Sequence, residues 1–267
     1  MEGYHKKLHG KVVLITGASG GLGEQIAHKA AEHGATVVVA ARNLERLKVV
    51  SKRCTQLSGQ SAYAYALDVS KKEEIDAIID KVIRDVGTID ILVNCAGFGL
   101  FSPAIEMDWE TTEKMFQVNV FGTMHLSQRV AKQMVTRGGG QIINIASQAG
   151  KMATPKSAVY ASTKFAVLGY SNALRLELQP YGIQVTTVNT GPIRTDFFQE
   201  ADPGGEYLDK LGRWVLEPDY VASKVVDAML IRKREINLPW IMEVGARLYV
   251  FFPRLGDYFA RTVFARK

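Results

Sequence analysis

Cysteine is scarce in this chain. Two residues in 267, Cys54 and Cys95, cannot build a disulfide framework, and a reduced, cytoplasmic setting fits them. The five histidines (His5, His9, His28, His33 and His125) have no Cys, Asp or Glu partner at ligand spacing, so no metal site is expected. No window of ~20 residues is uniformly apolar, which excludes a membrane-spanning helix. Met1 to Gly10 is polar and lacks an apolar h-region, so no signal peptide is expected. Lys/Arg runs of motif strength are missing too. The net charge of +6 therefore suits anionic small molecules as well as any polyanion, and no nucleic-acid partner is expected. Neither a linker nor a composition break divides the chain, so a single domain spanning 1–267 is expected.

What is present is a regular alternation. Lys11 to Thr16 reads as a short buried strand, Glu24 to His33 as an amphipathic helix capped by Gly34, and Thr36 to Ala40 as a second buried strand. Helices follow at Leu44 to Leu57, Lys71 to Val86, Trp109 to Thr136 (one long helix or a broken pair), Ser157 to Tyr181 and Asp219 to Ile231. Strands are expected at Ala62 to Leu67, Ile89 to Val93, Gln141 to Ala146, Ile183 to Val188 and Arg234 to Leu238. About seven strands alternating with helices predict an α/β fold: a Rossmann-type doubly wound parallel sheet with helices on both faces.

Between the first strand and first helix lies Thr16-Gly17-Ala18-Ser19-Gly20-Gly21-Leu22-Gly23. Glycines there permit a tight turn and close approach of a pyrophosphate. The helix N-terminus behind them offers free N–H groups to the phosphates. Beyond the second strand, where an acid would bind a ribose diol, the chain reads Ala40-Ala41-Arg42-Asn43. Arg42 suits a 2′-phosphate, so NADP(H) is expected over NAD(H). Tyr160-Ala161-Ser162-Thr163-Lys164 places a phenol and an ammonium one helical turn apart on one face. A fixed positive charge beside a phenol lowers its pKa and fits it for proton transfer. Alone the pattern is common, and a half-buried Tyr beside a solvated Lys meets it equally well.

Together these motifs resemble the short-chain dehydrogenase/reductase family over roughly residues 8–238. The further matching segments are Asp68-Val69 after the third strand, Asn94-Cys95-Ala96-Gly97 after the fourth, Asn119 in the long helix, Ser147 at the end of the fifth strand, and Gly191-Pro192 with Thr195. The resemblance implies hydride exchange between a nicotinamide and a ketone or secondary alcohol. It implies Tyr160 as proton donor and acceptor, Ser147 as orienter of the carbonyl, Lys164 as modulator of Tyr160 and ribose ligand, and Asn119 as holder of a relay water. Asp68 and Val69 would contact adenine, Asn94, Ala96 and Gly97 would floor the cofactor, and Pro192 and Thr195 would meet its carboxamide end. Gly17, Ser19, Gly21, Leu22 and Gly23 would take the phosphates. It also implies a homodimer or homotetramer through the two long helices.

The predicted substrate wall is Phe98, Leu100, Phe101, Met152, Ala153, Phe197, Phe198 and Trp214, which suits an apolar ketone. The irregular stretch 190–217 reads as a lid with Pro203-Gly204-Gly205 at its tip. A 3-oxoacyl thioester and a lipid- or steroid-like ketone are both admissible substrates. The reading from a different class is a non-catalytic NADPH-binding module. The tail, 239–267, interleaves aromatics with Arg247, Arg254, Arg261, Arg266 and Lys267, and Pro253 divides any helix there. Two readings of it stand: packing on a subunit, or peripheral contact with a membrane surface.

Overall fold

In a computed structural model of the chain, which describes residues 7–202 and 212–264, seven parallel strands form one sheet. They are β1 (Val12–Thr16), β2 (Thr36–Ala41), β3 (Tyr63–Ala66), β4 (Ile91–Asn94), β5 (Gly140–Ile145), β6 (Ile183–Thr190) and β7 (Glu235–Leu238). Their order is β3-β2-β1-β4-β5-β6-β7. The main helices are α1 (Gly21–Glu32), α2 (Leu44–Ser58), α3 (Lys72–Asp85), α4 (Trp109–Phe116), α5 (Thr123–Arg137), α6 (Ala158–Leu178), α7 (Phe197–Ala201), α8 (Pro218–Asp227), α9 (Trp240–Phe251) and α10 (Pro253–Phe264).

Successive strand side chains point to opposite faces, and both faces are covered, so β1, β2 and β4 read as nearly continuous apolar runs. Val13, Ile15, Val37, Val39 and Val93 pack with α1, α2 and α8. Leu14, Val38, Leu92, Ile142 and Val185 pack with α3, α5 and α6. The strand order reverses between β1 and β4, which opens a crevice at the carboxyl ends of the strands.

The expected elements are all found, with ends shifted by a few residues. The stretch from Trp109 is a continuous rod rather than a broken pair, but its middle, Gln117–Gly122, is π-helical. The wider turn carries Asn119 inward, where it is 1% exposed. The stretch 190–217 is less irregular than expected: it contains α7 and a 3₁₀ turn at Gly212–Trp214. The expected lid tip, Pro203-Gly204-Gly205, lies outside the described residues. Pro253 does divide the tail, into α9 and α10.

Candidate active site

The crevice is built first by β1 and its turn. Thr16 Oγ1 accepts hydrogen bonds from the Cys95 and Ala96 N–H groups at 3.1 and 3.2 Å, tying the end of β1 to the end of β4. Gly17 then turns with φ +68°, and a Cβ there would meet Ala96 Cα at 2.7 Å, so only glycine fits. Helix α1 starts at Gly21 behind the N-cap Gly20, with no side-chain cap on its N–H groups. Those groups face the crevice without an internal partner, an arrangement suited to phosphate. This fits a dinucleotide on an observation of the backbone itself.

A cavity of about 300 Å³ runs from this turn to the far end of β6. Gly17, Ser19, Gly21, Leu22, Gly23, Gly97, Ser147, Tyr160, Lys164, Pro192 and Thr195 all line it. The geometry therefore joins eleven of the sequence-predicted residues in one space. The other predicted catalytic and cofactor residues lie outside its lining. Arg42 is exposed at the end of β2 and does not line the cavity; Arg46, one turn into α2, does. Asp68 takes the N–H and hydroxyl of Ser70 on Oδ1 at 3.0 and 2.7 Å. Burial opposes its ionisation, but the Ser70 bonds, with Lys71 and Arg42 nearby, hold its carboxyl below the usual range. Val69 is buried against the α3–α5 side of the sheet.

Asn94 faces away from the cavity. Its Nδ2 donates to Ser127 Oγ at 3.0 Å and Asn144 Oδ1 at 2.8 Å, and Asn144 Nδ2 donates to Ser171 Oγ at 2.8 Å. This polar spine joins β4 and β5 to α5 and α6 beneath the crevice. Asn119 is likewise committed: Oδ1 accepts from Phe98 N–H at 3.0 Å, and Nδ2 donates to Phe98 O at 2.8 Å and Thr163 Oγ1 at 3.1 Å. It clamps the loop after β4 to α6.

On α6, Tyr160 and Lys164 are 9% and 7% exposed. Lys164 Nζ lies 5.7 Å from the centre of the Tyr160 ring and donates to Ile145 O at 3.0 Å. Among the described residues no carboxylate pairs with it, and burial pulls its pKa down to about 8. Burial also pushes the neighbouring Cys95 thiol up to about 12, so Cys95 stays neutral. Ser147 caps the 3₁₀ turn after β5, its Oγ accepting from Ala149 N–H at 3.1 Å. A hydroxyl, a phenol and an ammonium thus share one cavity, a set able to hold a carbonyl oxygen and pass it a proton.

The roof is aromatic. The rings of Phe101 and Phe197 stand 5.8 and 5.7 Å from that of Tyr160. Gly99 makes this approach possible, since a Cβ there would meet Tyr160 Cδ2 at 2.8 Å and Phe197 Cζ at 3.0 Å. Phe98, Phe101, Met152, Phe197 and Phe198 line the cavity as expected, whereas Leu100, Ala153 and Trp214 do not. Sequence reasoning missed Arg46 and Met242, both of which line it. Arg46 carried a signal, a second arginine one turn from Arg42. Met242 carried none, because its place depends on how the tail folds back.

A parallel sheet with a glycine turn at its switch point and a buried Tyr–Lys pair defines a nicotinamide-dependent oxidoreductase of Rossmann type. The short chain dehydrogenase family model matches residues 11–205, and the chain belongs to that family. It is 35% identical over 227 residues to a D-threitol dehydrogenase of Mycolicibacterium smegmatis, covering 82% of this chain and 86% of that one. Among solved structures, the alcohol dehydrogenase of Thermococcus sibiricus complexed with 5-hydroxy-NADP shares 28% identity, covers 85% of this chain and 95% of its own, and gives a TM-score of 0.77. The 3-ketoacyl-(acyl-carrier-protein) reductase of Brucella melitensis complexed with NADH shares 27% identity, covers 87% and 98%, and gives 0.79.

Proposed function

We propose that this chain transfers hydride between NADP(H) and an apolar ketone or secondary alcohol, as one oxidoreductase domain with a core at 8–238 and a tail at 239–267. The observation that carries this reading is the Tyr160–Lys164 pair, buried one turn apart in a cavity that also holds Ser147 and the uncapped start of α1. The nicotinamide supplies the hydride when bound. In reduction, Ser147 Oγ–H orients the carbonyl oxygen, and Tyr160 gives its phenolic proton to that oxygen as the carbon gains hydride. The Lys164 charge holds the phenolate that remains. Gly17, Ser19, Gly21, Leu22 and Gly23 bind the pyrophosphate. Asp68, Val69, Asn94, Ala96 and Gly97 build the adenine and nicotinamide walls, Asn94 and Asn119 by fixing neighbouring backbone. Pro192 and Thr195 close the nicotinamide end.

The preference for NADP(H) rests on cations: Arg42 at the strand end and Arg46 at the cavity wall both suit a 2′-phosphate. The apolar substrate rests on the Phe98, Phe101, Met152, Phe197 and Phe198 wall beside Tyr160; Gln148, Thr154, Ser157, Asp196 and Glu200 line other parts of the cavity. A reduced, cytoplasmic setting and a homodimer or homotetramer complete the proposal. Partly exposed Phe121 and Phe165, on the π-helical segment and α6, support self-association.

The test is fluorescence titration of the purified protein with NADPH and NADH, followed by a ketone screen. Tighter NADPH binding with turnover of apolar ketones supports the proposal. NADH preference removes the arginine argument, and binding of neither overturns the whole.

A further inference from the structure

The tail helices leave an apolar face uncovered beside the mouth of the cavity. Helix α9 is anchored at its start. Lys151 Nζ, in the loop that follows β5, bonds Glu243 at 2.7 Å, Glu235 at 2.6 Å and Asn237 at 3.0 Å. Ala246 is buried, and Met242 reaches the cavity wall. Helix α10 folds back on α9, with Tyr249 Oη donating to Asp257 Oδ1 at 2.9 Å.

Outside these anchors the helices carry large apolar side chains in the open. Trp240, Leu248, Phe251, Phe252, Leu255 and Phe259 are 54–76% exposed. On α10, Leu255, Tyr258 and Phe259 recur three and four residues apart and form one stripe; Arg254, Asp257 and Arg261 form another. Uncovered aromatic surface beside a basic stripe suits an interface between water and hydrocarbon.

Charge selects the occupant. From Trp240 to Lys267 the chain holds five cations (Arg247, Arg254, Arg261, Arg266 and Lys267) and two acids (Glu243 and Asp257). Glu243 is paired inward with Lys151 and also with Arg247, while Asp257, exposed between Arg254 and Arg261, accepts from Tyr249. A two-fold contact with a second copy would set this stripe, two arginines to one acid, against itself. An anionic bilayer accepts the cations at its headgroups and the aromatics just below. Among the described residues no helix is long and apolar enough to cross a membrane, so the contact is with the surface.

We propose that α9 and α10 form a docking platform for an anionic lipid bilayer. Met242, on the inner face of α9, lines the cavity wall, so the helix that carries the platform also borders the cavity, and docking holds the cavity close to the membrane. The substrate is then an apolar ketone dissolved in that bilayer. This last step rests on the apolar-ketone reading above.

The experiment is co-sedimentation of the full chain with vesicles of phosphatidylcholine alone, and of phosphatidylcholine with about a third phosphatidylserine. The expected result is strong pelleting with the anionic vesicles only, weakened by salt. Replacing Phe252 and Phe259 together by Glu should cut vesicle partition at least tenfold. Replacing Arg254 and Arg261 by Gln should cut it about fivefold per arginine. Both variants should keep the wild-type thermal midpoint and turnover of a water-soluble ketone, but lose turnover of a ketone carried in the vesicles. Equal partition of wild type and both variants overturns the platform. So does wild type that ignores vesicles and sediments as an oligomer which the Phe252/Phe259 variant dissociates, since a second copy then covers the face. Vesicle binding without turnover of any ketone supports the platform while overturning the enzymatic reading.

Discussion

The Lys164 ammonium stands 5.7 Å from the centre of the Tyr160 ring, one turn along the same helix, with a backbone carbonyl as its hydrogen-bond acceptor and, among the described residues, no carboxylate partner. A lysine so placed keeps its field for the phenol, because no counter-charge among the described residues neutralises it. The same isolation makes its own charge expensive.

Removing the phenolic hydroxyl should separate chemistry from binding. Tyr160→Phe keeps the ring between Phe101 and Phe197 but has no proton to give. Ketone turnover should fall by about 10²- to 10⁴-fold, while NADPH affinity stays within about twofold of wild type. Steady-state kinetics beside a fluorescence titration checks this, and turnover near the wild-type rate would refute Tyr160 as the acid.

The lowered Lys164 pKa has a kinetic and a stability consequence. Above about pH 8 Lys164 loses its proton in the free enzyme, so kcat/KM for ketone reduction should decline through that region. For stability the sign is opposite. The folded pKa lies below the ordinary value of 10.5, so the unfolded chain binds more protons between about 8 and 10.5, and this group favours folding increasingly as pH rises there. At neutral pH its charge is therefore a burden. Lys164→Met should abolish activity while leaving the thermal midpoint at pH 7 unchanged or higher; a clear fall in that midpoint would refute the argument.

The two arginines should divide the cofactor preference unequally. Arg46 lines the cavity and Arg42 does not. Arg46→Ala should therefore cost NADPH about tenfold in affinity with little change for NADH, and Arg42→Ala less. Paired dissociation constants for both variants measure this; an NADPH/NADH ratio untouched by either would exclude both arginines from the phosphate site.

Lys151→Met should loosen the tail. It leaves the Glu235 and Glu243 carboxylates, 20% and 13% exposed, without their shared cation. A loss of about 2–3 kcal/mol is expected at pH 7. Burial opposes ionisation of Glu235, but the Lys151 bond holds its pKa below 4.5 in the wild type. That contribution is present above about 4.5 and fades as pH falls through the lowered value. The gap between wild type and variant should accordingly narrow in acid. Denaturant melts at several pH values would show it, and a gap independent of pH would discount the ion triad.

Most of the scaffold could be read from the chain, because buried parallel strands such as β2, with its run of Val37, Val38, Val39, Ala40 and Ala41, are nearly all apolar and glycines punctuate them. The glycine turn and the Tyr160–Lys164 spacing were legible for the same reason: each is a local pattern whose geometry follows from one helix or one turn. Contacts set by tertiary approach were not. Asn119 gave no hint that its amide would clamp Phe98, because the π-helical turn that aims it has no clear local signature. Arg46 rather than Arg42 reaches the cavity because α2 starts at Leu44 and carries Arg46 round toward the glycine turn. The wall residues Leu100, Ala153 and Trp214 were assigned by proximity in sequence, which says nothing of which way a loop side chain turns.

The polar spine beneath the crevice is made of two amides, Asn94 and Asn144, and two hydroxyls, Ser127 and Ser171. None of the four gains or loses a proton anywhere near neutrality. The support under β4 and β5 is thus the same in acid as in alkali. Reduction and oxidation, which place opposite demands on the phenol, would be carried out over an unchanging floor. Acidity would then reach the chemistry through the groups lining the cavity, and not through the frame that holds them.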